Sequence, residues 1–126
     1  MYTIARRFEF SASHVLAGLP PDHPCSRLHG HNWSVVLHLA AETTDATGFV
    51  VDFSELAEFV QLLDRNFEHR HLNDVVAVSP TSENLARHFY QWASARWPQV
   101  VACAVSETSA TVAVYAPGPT VHIVQP

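Results

Sequence analysis

Three histidines fall where two strands could gather them. His14 ends the segment FSASH, and His29 and His31 lie two apart in CSRLHGH, residues 25–31. Side chains two apart on a strand point to one side. If a strand ending at His14 pairs antiparallel with one beginning at His29, all three imidazoles meet at one rim of the sheet. Zinc binds imidazole nitrogen at about 2.0–2.1 Å, and three protein ligands plus an open fourth position make a catalytic site. Gly30, between the pair, removes a side chain from the opposite face and permits close backbone packing.

Other reactive groups stand near this cluster. Cys25 precedes His29 by four residues. It is either a fourth ligand, which would close the site, or a thiolate beside the metal, stabilised by positive charge. Glu107 continues an apolar stripe of Val101, Cys103 and Val105, where an unpaired carboxylate is costly. Either it reaches solvent at the sheet edge, or it accepts two N–H groups from a flat, guanidine-like ligand edge. Cys103 itself reads as a small buried hydrophobe. Glu68 and His69 are adjacent at a helix end, and adjacent residues do not face each other on a helix. They pair only if the helix is already unwinding, and a carboxylate could then orient the imidazole for proton transfer. The alternative is a cationic histidine at a helix C-terminus. Of the nine histidines, His38, His88 and His122 read as ordinary surface or core residues, and His23, in a Pro-rich loop, receives no role.

Two strands and two helices must place these groups. Tyr2, Ile4, Phe8, Phe10, Ala12 and His14 alternate with mostly polar residues, which predicts a strand over 2–14, with Arg6 as the exception on its apolar face. Alternation returns from His29 to Ala41, where His29, His31, Trp33, Val35, Leu37 and Leu39 share a face. Between them Gly18, Pro20, Pro21 and Pro24 mark a loop. Asp52 caps a helix, with Glu55 as a capping-box partner and Leu56, Phe59, Val60, Leu63 and Phe67 at helical spacing. A second helix starts near Pro80, capped by Ser79 or Thr81, buries Leu85, Phe89, Trp92 and Ala93, and stops at Pro98. VVACAVSET and ATVAVYAP then form a hairpin. Two hairpins separated by a helical pair give a single α+β domain over 1–126 with an antiparallel sheet.

The composition narrows the partners. Net charge is −5 at pH 7, and all seven basic residues are arginine. Nucleic acid and anionic membranes are therefore poor partners, and an anionic substrate must be held by a few placed arginines or by a metal. No apolar run approaches the roughly 20 residues that span a bilayer, and the N-terminus lacks the apolar stretch of a signal peptide. A cytoplasmic protein with two free thiols, Cys25 and Cys103, is expected.

Together the segments resemble the 6-pyruvoyl-tetrahydropterin synthase superfamily, and most its bacterial 6-carboxytetrahydropterin synthase branch. FSASH is similar to its first zinc-histidine segment, CSRLHGHNW to its Cys-x3-His-Gly-His segment, and GFVVDFSEL to the entry into its first helix. EHRHLND resembles its Asp-His-x-x-Leu-Asn segment, PTSENLA opens the second helix, and VSETSATVAVY resembles the pterin-anchoring strand. Each is weak alone, but six in order are specific.

The resemblance implies a T-fold: a four-stranded antiparallel sheet with two helices on one face. Three subunits would close a β-barrel, and two trimers would stack as a hexamer with active sites between subunits. It implies zinc on His14, His29 and His31, with Cys25 as general base and Glu68 and His69 as a relay. Glu107 would anchor the pterin, helped near Thr108 and by Thr81 or Ser82. The implied substrate is 7,8-dihydroneopterin triphosphate, and the implied products are 6-carboxy-5,6,7,8-tetrahydropterin, a queuosine precursor, with triphosphate and acetaldehyde. Two departures stand out. Glu68 replaces the usual Asp, with His71 as another possible partner. Without lysine, the triphosphate falls to Arg27 first, then to Arg6 or Arg87. The short Cys-x3-His spacing favours the carboxy branch over the pyruvoyl-forming one. A zinc- and pterin-binding homologue with little turnover is the third reading.

Overall fold

A computed structural model of the chain describes residues 1–119 and residue 123. His122 lies outside the described residues. Two long strands, β1 (Tyr2–His14) and β2 (His29–Ala41), carry the alternation expected of them. They pair antiparallel without interruption, from Tyr2 opposite Ala41 to His14 opposite His29. One face of this ribbon buries Phe8, Phe10, Ala12, Trp33, Val35, Leu37 and Leu39.

Two helices cover that face. Asp52 caps a 3-10 turn, Phe53–Leu56, by accepting from the Ser54 N–H, and the α-helix proper, α1, runs Ala57–Asn66. The expected cap is therefore present, but it opens the turn that precedes the α-helix. α2 (Ser82–Arg96) starts at Thr81, whose hydroxyl accepts from Asn84 N–H, with Pro80 just outside. Trp92 is only half-buried, and the Arg96 guanidinium lies 3.6 Å from its ring centroid. Arg6, the exception on the apolar face, donates to the Phe53 carbonyl at 2.9 Å and lies over the Phe8 ring.

The sheet has five strands, in the order β3-β1-β2-β4-β5, where four antiparallel ones are expected. β4 (Val100–Ser106) and β5 (Ala113–Tyr115) form the second hairpin, shorter than the sequence suggests. The additional strand, β3 (Arg70–His71), is two residues long and runs parallel to the end of β1. So short a segment has no alternation to read. It forms because the chain leaving α1 returns to an open sheet edge, where His69 N–H donates to the Ser11 carbonyl at 2.6 Å.

The core between sheet and helices is aromatic. Phe89 is fully buried, with ring centroids 6.0 Å from Phe10, 5.5 Å from Phe59 and 4.9 Å from Phe67. Phe89→Ala removes the ring that joins all three and is expected to lower stability by about 3–5 kcal/mol. Urea unfolding at fixed protein concentration measures it; a loss below about 1 kcal/mol would show that the site collapses around the deletion.

Candidate metal centre and active site

The ribbon end brings the three histidines together. His14 closes the buried face of β1, and His29 and His31 open the same face of β2. One ring nitrogen from each lies within 4.8 Å of the others. Trp33 forms the floor, its ring centroid 5.0 Å from His14 and 5.3 Å from His31. Its indole N–H donates to the Ala12 carbonyl, which fixes the ring.

Backbone carbonyls set the tautomers. His14 Nδ1 lies 2.8 Å from the Pro80 carbonyl, and His29 Nδ1 lies 2.6 Å from the Arg27 carbonyl. A carbonyl only accepts, so both Nδ1 atoms carry a hydrogen, and in the neutral ring Nε2 then presents a bare lone pair. Those two Nε2 atoms are 2.8 Å apart. Lone pairs at that distance repel unless something positive lies between them. His31 Nε2 is also buried, with no hydrogen-bond partner. Burial pulls the His14 and His31 imidazoles below their ordinary value, favouring the neutral form that binds metal. The residues thus fit a cation held by three imidazoles with carbonyls behind two of them, an arrangement common in zinc sites.

Cys25 sits in a short turn, Pro24–Ser26, where His23 Nδ1 accepts its N–H at 3.0 Å. Its carbonyl accepts from Leu16 N–H, strapping the loop to the end of β1. Cys25 is half-buried, and the group of three histidines does not include it. Arg27 is exposed and serves the centre through its carbonyl. Arg6 is engaged at Phe53, and the Arg87 guanidinium lies 5.7 Å from the Tyr115 ring centroid. Cys103 is fully buried among apolar residues, and burial pushes its thiol far up.

Helix α1 has ended before Glu68, and His69 takes a left-handed backbone with φ 56°. That unwinding turns two adjacent side chains toward each other, with His69 Nε2 3.0 Å from Glu68 Oε1. The same Oε1 accepts from Ser11 N–H at 3.2 Å, so the carboxylate is tied to β1. His71 takes a different partner, the Ser13 hydroxyl at 2.9 Å. His31, His69 and His71 line one open cleft of about 490 Å³.

Glu107 lies one residue past β4 and turns inward. Its Oε2 is 3.5 Å from His31 Nε2 and 3.9 Å from His14 Nε2. It also lines a second cleft of about 380 Å³ with Ser82. Thr108 does not join it: it lines another cleft with Arg7 and Ser34, and its hydroxyl accepts from Ala110 N–H. The Thr81 hydroxyl is occupied as the α2 cap. Sequence reasoning missed the carbonyls of Pro80 and Arg27 and the Ser13–His71 pair. No residue type announces a carbonyl, though Trp33, two positions from His31 on the same face, was a readable sign of the floor.

A sequence profile described as 6-pyruvoyl tetrahydropterin synthase matches residues 3–118. A 6-carboxy-5,6,7,8-tetrahydropterin synthase from Synechocystis sp. is 36% identical over 124 residues, covering 91% of this chain and 93% of that one. One from Bacillus subtilis is 34% identical over 106 residues, covering 74% and 70%. Among solved structures, Caenorhabditis elegans 6-pyruvoyl tetrahydropterin synthase superposes with a TM-score of 0.81 at 24% identity, covering 93% of this chain and 96% of that chain, which shows a shared fold.

Proposed function

The chain belongs to the 6-pyruvoyl tetrahydropterin synthase family, and from that premise we propose that it is a zinc-dependent lyase acting on 7,8-dihydroneopterin triphosphate. With one water consumed, the products would be 6-carboxy-5,6,7,8-tetrahydropterin, triphosphate and acetaldehyde. The convergence of three imidazoles, two of them held through Nδ1 by backbone carbonyls so that their Nε2 atoms face one another, carries this reading. Named relatives and the three-residue gap between Cys25 and His29 support the carboxy-forming outcome.

Zinc held by His14, His29 and His31 would act as a Lewis acid on the substrate's side-chain hydroxyls. The protein's own groups do the rest. Glu107 accepts the pterin's N–H edge, with the Ser82 hydroxyl in the same cleft. Cys25 removes a carbon-bound proton, and its place outside the ligand group leaves it free to do so. His69, oriented by Glu68, carries the second proton. Arg27, exposed on the loop before the centre, is the residue assigned to the triphosphate. The open cleft and the exposed His69 ring are consistent with a neighbouring subunit completing the site, as in a hexamer of two stacked trimers. No helix among the described residues is long and apolar enough to cross a membrane, and a cytoplasmic site of action goes with this reading.

Zinc-loaded protein given the triphosphate tests the proposal through acetaldehyde and the pterin product. Acetaldehyde with the carboxy product supports it. A pyruvoyl product without acetaldehyde moves the chain to the other branch, and tight binding without turnover makes it a binding protein. The relay has its own check. Glu68→Gln keeps an acceptor for Ser11 N–H but removes the charge beside His69, and turnover is expected to fall roughly 10–100-fold at unchanged zinc content. Undiminished turnover would remove Glu68 from the mechanism.

A further inference from the structure

The position of Glu107 raises a question that pterin anchoring does not answer. Its carboxylate makes no hydrogen bond to any N–H or hydroxyl among the described residues; the groups it faces are two ligand nitrogens. Neither separation, 3.5 Å to His31 Nε2 or 3.9 Å to His14 Nε2, is a hydrogen bond. A neutral His14 does not donate there, because its one hydrogen is committed to the Pro80 carbonyl. With neutral rings, acceptor atoms of His14, His29 and Glu107 converge, an arrangement that a shared metal ion would relieve. The 3.5 Å between Glu107 and His31 suits one. Around tetrahedral zinc with bonds of about 2.0–2.1 Å, neighbouring ligand atoms stand about 3.4 Å apart.

We propose that Glu107 is an exchangeable fourth ligand, which closes the metal centre until a pterin ring draws its carboxylate away. This rests on the proposed metal centre and adds to it a role for the anchoring residue. The side chain is suited to both positions. It is 30% exposed, it sits on the connection just beyond β4, and it lines the cleft that also holds Ser82. When a guanidine-like edge enters that cleft, the carboxylate exchanges its metal bond for two N–H bonds. No proton or electron moves, and the vacated coordination position becomes available to the substrate's hydroxyls. Recognition of the ring thereby opens the metal, and a bare pterin triggers the opening as well as the full substrate does.

Cobalt(II) substituted for zinc reports coordination in its visible spectrum, and unsubstituted pterin is the probe because it has the ring edge but no side-chain hydroxyls. Pterin is expected to shift the cobalt spectrum of the unmodified protein. Glu107→Gln should start with an altered spectrum, show no pterin shift, and bind metal about 10–100-fold more weakly in chelator competition, the range typical for groups that support a metal site. Glu107→Ala should match it, which guards against a local effect of the amide. Identical spectra and affinities for the unmodified and substituted proteins would overturn the ligand role while leaving the metal centre standing. Failure of the unmodified protein to take up cobalt or zinc would overturn this inference together with the metal centre. Pterin that binds, by fluorescence, without shifting the spectrum of the unmodified protein would overturn the exchange.

Discussion

His14→Ala is expected to lower zinc affinity by at least about a hundredfold and to abolish turnover with it. Zinc bound through four ligands is worth about 10–16 kcal/mol, so one ligand carries on the order of 3 kcal/mol, or about two decades. His14 should sit at the high end of the three. It is fully buried, its ring lies among His29, His31 and Trp33, and its Nδ1 is fixed by Pro80. Deleting the ring leaves His29 and His31 to bind from one strand alone, without the partner that β1 supplies. Chelator competition followed by metal analysis measures the loss. His71→Ala is the matched control, because His71 faces Ser13 and not the cluster, and it should retain zinc. Retention of full zinc affinity by His14→Ala would mean that the metal, if bound, is held elsewhere.

The strands and the centre they carry were legible because both depend on a period of two. The alternation over 2–14 and 29–41 sets the register, and the register puts His14 opposite His29. β3 was not legible, since two residues contain no period; it exists because an open edge beside Ser11 needed partners. The Glu68–His69 pairing was legible as a condition: it required an unwound helix end, and the left-handed backbone at His69 supplies one. The direction of Glu107 was open, because it lies past the last residue of β4, where strand alternation no longer decides which way a side chain turns. The backing of His14 and His29 was hidden for a different reason, because backbone carbonyls are present at every position and sequence does not mark the ones that matter.

Cys25→Ala is expected to leave zinc content unchanged and to lower turnover by at least roughly 100-fold, the scale of a lost general base. Two observations point the same way. The thiol is outside the ligand group, so its loss should not weaken the metal site. It is also held in place by main-chain bonds, with His23 accepting the Cys25 N–H and Leu16 donating to the Cys25 carbonyl. Neither bond uses the side chain, so alanine should keep the turn and remove only the sulfur. Substrate affinity should change little, because Glu107 and Arg27 are untouched, and the loss should appear in kcat. Cys25→Ser sharpens the experiment: a hydroxyl fills the same space but ionises far less readily than a thiol, so it should be nearly as inactive as alanine. If serine restores turnover, the sulfur acts by packing and the base lies elsewhere. If alanine releases zinc, Cys25 is a ligand, and the fourth position assigned to Glu107 belongs to it instead.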